Sequence, residues 1–207
     1  MQYFKYGKKE VQWLKSRDPV LGAAMDEIGH IQRAVTPDLF TAIINSIVGQ
    51  QISSKAQKTV WGRIQEKFRP FTPEIIASAA PEEIQVCGIS MRKTLCIKGI
   101  AGLVTDGSLD LEQLHDLPDE EVCKRLIQIK GVGKWTAEML MIFSMQRKDI
   151  ISWNDFAIHR GLKILYRHRI ITEKLFNKYR RRYSPYASIA SLYLWEISSK
   201  TSNAQRQ

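Results

Sequence analysis

Proline follows a helix-capping residue at four places in this chain: Asp18-Pro19, Thr36-Pro37, Thr72-Pro73 and Ser184-Pro185. A capping side chain accepts a bond from first-turn amides, and proline loses nothing at the first helical position, where its missing N–H would have no partner. Each pair therefore predicts a helix start, and Ser53, Pro81 and Pro118 predict three more. Behind these starts the apolar residues keep helical spacing. Leu39, Phe40, Ile43, Ile44, Ile47 and Val48 recur as doublets four apart, and Ala56, Val60, Ile64 and Phe68 form a second stripe. Segments 91–104, 134–146, 155–167, 173–182 and 185–198 fit the same period, and no alternating run of Val, Ile or Thr competes. The expectation is an all-α fold of about ten helices joined by short connections, and the pattern fits one core or two lobes equally. Residues 199–207 lack an apolar stripe and are expected to form a frayed tail.

Charge narrows the partners. Lys and Arg number 31 against 21 Asp and Glu, a net +10 that attracts polyanions, with nucleic acid first among them. No apolar run is long enough for a membrane span, and the amino terminus leads into lysines rather than a signal sequence, which predicts an intracellular protein. Cys87, Cys96 and Cys123 form no CxxC pair, and His30, His115, His159 and His168 show no HxxxH spacing, so neither a disulfide framework nor a zinc site is expected.

Two stretches carry chemistry. In Leu126 to Ala137 an amphipathic helix runs into Gly131-Val132-Gly133, and a second helix begins at once with Lys134. Glycine allows close approach of a large anion, and the amides that open a helix lack intrahelical partners, so a phosphate can satisfy them. A Gly-x-Gly turn also serves as a plain helix cap, but Lys130 and Lys134 on either side favour contact with a nucleic-acid backbone. Downstream, Trp153-Asn154-Asp155-Phe156 precedes another helix. Asp155 is either its cap or a catalytic carboxylate. The densest basic stretch is Arg167-His168-Arg169 with Lys174, Lys178, Arg180, Arg181 and Arg182, which reads as a solvated face or a DNA contact.

Four ordered motifs, Ile47 to Ser53, Gly88 to Lys93, Ile129 to Ala137 and Asn154-Asp155, resemble the helix-hairpin-helix DNA glycosylases, and within them the 3-methyladenine DNA glycosylase II group. The resemblance covers about Asp18 to Trp195. It implies a two-lobed helical bundle with a DNA-binding cleft between the lobes, and the compact form of the family without an amino-terminal β domain. Residues 36–148 would form the middle lobe, with the helix-hairpin-helix at 118–146, while 1–35 and 149–198 would form the terminal lobe. Asp155 would be the catalytic aspartate. Trp135, Met139 and Trp195 would line the pocket for an extruded base, although Met139 stands where relatives can carry an aromatic. Gln50 and Gln51 would enter the minor groove and fill the gap. Gly131, Gly133, Lys134 and Thr136 would bind DNA phosphate, and the backbone carbonyls of Ile127, Ile129 and Gly131 could hold a structural Na+ or K+.

The implied reaction is hydrolysis of the N-glycosidic bond of alkylated purines such as 3-methyladenine and 7-methylguanine. Alkylation at N3 or N7 makes the base a good leaving group, and a carboxylate beside the sugar stabilises the oxocarbenium-like charge that develops. Relatives that also cut the strand use a hairpin lysine where Trp135 stands, so no lyase activity is expected. No cysteine follows Cys123, which excludes the family's four-cysteine iron–sulfur loop. No cofactor is required. The expected partner is double-stranded DNA containing damaged bases, bound by a monomer, in the nucleoid of a bacterium or the nucleus of a eukaryote. The alternatives are a glycosylase for another damaged or mismatched base and a noncatalytic helix-hairpin-helix module.

Overall fold

The computed structural model describes the backbone of residues 1–204 and the side chains of residues 1–200. In chain order the helices are α1 (Lys8–Arg17), α2 (Pro19–Ile28), α3 (Leu39–Gly49), α4 (Ser54–Lys67), α5 (Pro73–Ser78), α6 (Pro81–Gln85), α7 (Met91–Thr105), α8 (Asp119–Gln128), α9 (Lys134–Phe143), α10 (Phe156–Tyr166), α11 (Glu173–Tyr183) and α12 (Ala187–Ala204). A 3-10 turn at Gln113–Asp116 and one small antiparallel ladder complete the regular structure among the described residues. In that ladder β1 (Gln2–Tyr3) pairs with β2 (Ala34–Val35), two residues on each side, too short to leave an alternating pattern in the sequence. No described helix is long and apolar enough to cross a membrane.

Most of the predicted starts hold, and the exceptions have identifiable causes. Asp18, Ser53 and Thr72 each accept a first-turn amide as expected. Thr36 does not cap α3. Asp38, directly before the apolar stripe, takes that place and accepts from the Thr41 amide at 2.7 Å. Pro118 is the N-cap of α8 and not its first residue. Ser184-Pro185 opens no helix, because the Ser184 hydroxyl is spent on Asp149 at 2.5 Å, and α12 begins two residues later at Ala187. Asp149 then accepts the Ala187 amide at 3.1 Å, so α12 is capped by a residue 38 positions away, which local sequence cannot reveal. At its far end α12 continues to Ala204, into the segment expected as a tail, while residues 205–207 lie outside the described ones.

The chain divides into two compact units, Met1–Val35 with Met141–Gln207, and Thr36–Leu140. The second division falls inside α9, so residues 141–148, read from the sequence as part of the middle segment, group with the chain ends. In the first unit α10 lies on α12 so closely that a Cβ at Gly161 would stand 2.4 Å from the Leu194 carbonyl oxygen. Leu14, Leu21, Ile158, Leu162, Ile189 and Leu194 fill the surrounding core. In the second unit α3, α5 and α7 bury Ile43, Ile44, Ile47, Ile76, Ile97 and Ile100.

A polar cluster braces the first unit. Asp18 is buried. One of its oxygens caps α2 through the Leu21 amide at 3.0 Å, and the other accepts from the Tyr166 hydroxyl and the Arg182 guanidinium, both at 2.7 Å. Burial pushes the Tyr166 and Tyr183 phenols well up, so both stay neutral and hydrogen-bonded to each other at 2.7 Å.

Glu10 and Lys148, 138 residues apart, meet at 2.6 Å. The Lys148 ammonium holds the Glu10 carboxyl down, from its ordinary 4.5 to about 2. A lowered carboxylate pKa contributes stability above the unfolded value and loses it as pH falls through the folded one. Lys148→Met should therefore lower Tm at neutral pH, and the gap to the wild type should close as pH falls from about 5 to about 2, as thermal melts across that range would read. A constant gap would remove this pair from the stability of the fold.

Candidate active site

Asp155 is the N-cap of α10. Its backbone is extended, with φ −98° and ψ 108°, and Oδ1 accepts from the amides of Ala157 at 2.8 Å and Ile158 at 3.0 Å. These amides belong to the first turn, where no carbonyl of the helix can reach them, and the carboxylate lies at the positive end of the helix dipole. Only 7% of Asp155 is exposed. Of the two sequence readings, the cap is the one the structure shows, and capping fixes the carboxylate's direction.

Aromatic packing steadies the approach to this cap. His159 stands one turn into α10, with Nε2 2.7 Å from the Trp153 carbonyl oxygen and its ring 4.5 Å from that of Trp153. Phe176 of α11 closes the group, 5.1 Å from Trp153 and 5.6 Å from His159. Phe156, the first residue of α10, is 91% exposed, an unusual position for a phenylalanine and one not singled out above. The signal was present, since Phe156 falls off the buried stripe formed by Ile158 and Leu162.

Trp195, on α12, is half-buried with its ring 5.5 Å from Phe143. The Arg33 guanidinium lies over the opposite partner in that pair, 5.9 Å from the Phe143 ring centre. Arg33, Trp195 and Glu196 border a cavity of about 110 Å³. Phe143 and Arg33 were not singled out from the sequence.

The hairpin belongs to the second unit. After α8 the Ile129 amide reaches back to the Leu126 carbonyl at 3.1 Å, the Val132 amide bonds to Ile129 O at 2.9 Å, and Gly133 O receives the Ala137 amide at 2.9 Å as α9 starts. Gly131 has φ +89°, and a Cβ there would stand 3.0 Å from Cys96 Sγ. That thiol donates to the Lys130 carbonyl at 2.9 Å. Gly131, Gly133 and Lys134 are exposed, Thr136 and Met139 are half-buried, and Trp135 is 47% exposed, large for an indole.

The loop after α3 is tied to this hairpin. Gln50 Nε2 donates to the Gly131 carbonyl at 2.8 Å, so the side chain of Gln50 is directed at the hairpin backbone. Gln51 is exposed and adopts φ +58°, a left-handed conformation uncommon outside glycine. Ile52 beside it is 39% exposed. Lys93 of α7 sends its ammonium to the carbonyls of Val48 at 2.9 Å and Gln50 at 2.6 Å. In the sequence Lys93 stands out only as the end of the Gly88 to Lys93 motif. Its signal was position, because Lys93 continues the buried stripe Cys96, Ile97 and Ile100 at helical spacing, where a cation needs acceptors.

The profile of the family described as HhH-GPD superfamily base excision DNA repair protein matches residues 44–185, a span that includes both the hairpin and Asp155. The chain belongs to the HhH-GPD superfamily. Among curated relatives, it is 35% identical over 164 residues to DNA-3-methyladenine glycosylase 1 of Schizosaccharomyces pombe, covering 77% of this chain and 72% of that protein. Among solved structures, this HhH-GPD chain is similar to a DNA-3-methyladenine glycosidase from Bacillus halodurans, with a TM-score of 0.87 at 32% identity over 98% of this chain and 95% of the other. It is also similar to an S. pombe 3-methyladenine DNA glycosylase in complex with abasic DNA, with a TM-score of 0.79 at 30% identity over 93% and 97% of the two chains.

The hairpin geometry carries its own test. Gly131→Ala must place a methyl group in a left-handed conformation and against Cys96, and should lose about 1–2 kcal/mol of stability. Urea titration would measure this, and an unchanged midpoint would mean that the turn relaxes to negative φ.

Proposed function

We propose that this HhH-GPD protein is a monofunctional DNA glycosylase that hydrolyses the N-glycosidic bond of alkylated purines, such as 3-methyladenine and 7-methylguanine, in duplex DNA. The observation that carries the reading is the Asp155 carboxylate, buried, capped by two amides and aimed by them. The names of the relatives support the substrate class, and abasic DNA is what remains once a base has been removed.

In this mechanism the damaged nucleotide leaves the stack, at a cost of a few kcal/mol that a weakened base pair reduces. Trp135, Met139 and Trp195 are the side chains assigned to receive it, since aromatic faces attract a cationic purine by up to about 2 kcal/mol when desolvated. As the bond to the base lengthens, positive charge grows on the sugar ring, and Asp155 stabilises it without having to reorient. The same carboxylate then orients the water that attacks the anomeric carbon. The base departs neutral, because alkylation had already made it cationic. Trp135 occupies the hairpin position at which a lysine would attack the sugar, and Lys134 is one helical step away, turned by about 100° towards phosphate. That supports a glycosylase without strand-cutting activity.

DNA is held from the second unit. The exposed turn Gly131 to Gly133, with Lys134 and Thr136 opening α9, offers amides and a cation to backbone phosphate. Since Gln50 is bonded to the hairpin, Gln51 is the side chain left to enter the minor groove and fill the gap. The Ile129 carbonyl accepts from Val132 N and the Gly131 carbonyl from Gln50 Nε2, and a carbonyl oxygen has a second lone pair. With Ile127 they therefore fit a structural Na+ or K+, which would neutralise charge beside a bound phosphate. The chemistry needs no zinc or iron–sulfur cluster. The protein acts as a monomer in the compartment that holds the DNA.

Assays of base release from duplexes carrying 3-methyladenine, 7-methylguanine, hypoxanthine or ethenoadenine test the reading, with turnover expected on the first two. Asp155→Asn should retain DNA binding and lose at least about a hundredfold in single-turnover release. Near-normal release would refute the assignment. Borohydride should trap no covalent adduct, and a trapped adduct would overturn the monofunctional reading.

A further inference from the structure

We infer that Lys93 is a positioning residue for base extrusion, holding the Gln50–Gln51 loop in the shape that lets Gln51 fill the gap. The inference rests on the reading of Gln51 given above. Its physical basis is the C-terminus of α3, where the last carbonyls carry partial negative charge and have no intrahelical donors. Lys93 supplies a cationic donor to two of them, Val48 O and Gln50 O.

The second bond matters most. The Gln50 carbonyl and the Gln51 amide share one planar peptide unit, so fixing the oxygen of one fixes the direction from which the other departs. Gln51 then enters at φ +58°, a conformation that a non-glycine residue keeps only when its surroundings impose it. Gln51 itself is exposed, and the bonds to Gln50 fix the peptide unit that leads into it.

Lys93 is placed at the start of α7. Ser90 caps α7 by accepting the Lys93 amide at 3.4 Å, and burial pushes the Lys93 ammonium down from its ordinary value, consistent with an enclosed head group. Cys96, one turn further along the same helix face, bonds to Lys130 O of the hairpin. Gln50 Nε2 on Gly131 O completes the connection. One face of α7 thus sets both the loop that probes the helix and the turn that grips its backbone. Without the ammonium, Gln51 would have to be ordered anew at each extrusion, which lowers the fraction of complexes with the base out and leaves phosphate binding intact.

The test is a double-mutant cycle, read as single-turnover release of 7-methylguanine from duplex DNA at saturating enzyme, with the wild type, Lys93→Met, Gln51→Ala and the double variant. Each single variant should release base about tenfold more slowly, and the double variant no more slowly than Gln51→Ala, because the two changes disable one device. Lys93→Arg, which keeps a cationic donor, should return to within about threefold of the wild type, and binding of undamaged duplex by the Lys93 variants should stay within about twofold of the wild type. If Lys93→Met is not stably folded, Lys93→Gln takes its place with the same expectation. Multiplied effects in the double variant, or a Lys93 variant with wild-type rate beside a slow Gln51→Ala, overturn the inference and leave the glycosylase reading standing. An active wild type with a fast Gln51→Ala also overturns it. A wild type that releases no base overturns both.

Discussion

Two backbone amides sharing one oxygen of Asp155 are the contact on which the rest of the site depends. A carboxylate can stabilise a transient positive charge only if it need not reorient as the charge appears, and a helix N-terminus provides that orientation together with a favourable dipole. The direction of the carboxylate is then the direction of α10, and α10 is restrained along its length. Gly161 lets α12 approach to backbone contact at the middle, and Tyr166 at the end is bonded to the buried Asp18, which Arg182 also holds. The polar cluster far from Asp155 in sequence therefore bears on its aim.

The second unit follows the same logic with the charges reversed. Carbonyls at a helix end and a hairpin turn are held by side-chain donors from α7 and from the loop itself, namely Lys93, Cys96 and Gln50. The turn that we propose as a phosphate grip is thereby shaped by its neighbours. Under that proposal such preorganisation lowers the entropy lost when the turn meets a phosphate.

Local rules recovered the helices wherever the signal was local. Asp18, Ser53 and Thr72 announce their helices because a cap acts over three residues, and the stripe of α3 is plain because burial follows the helical period. The failures lie where a distant residue intervenes. Asp149 caps α12 from across the fold and draws Ser184 away from the role its sequence suggests, while β1 and β2 pair over too few residues to leave a pattern. In the candidate site, Asp155 and the hairpin glycines were legible, since capping chemistry and a Gly-x-Gly turn each have a spacing. The different placements of Gln50 and Gln51 were not, because adjacent glutamines offer the same chemistry, and the bond from Gln50 to Gly131 O and the left-handed backbone at Gln51 arise only in the fold. Lys93 was hidden for a similar reason. A lysine reads as surface until its acceptors are seen.

The central claim is electrostatic, so the most direct measurement compares charge at fixed shape. A duplex containing a cationic pyrrolidine in place of the deoxyribose resembles the sugar as the base departs, and a tetrahydrofuran nucleotide has the same ring without the charge. The wild type should bind the cationic duplex at least about a hundredfold more tightly than the neutral one, and Asp155→Asn should lose that preference while holding the neutral duplex as before. Equal affinities in the wild type, or a preference that survives the substitution, would contradict the account.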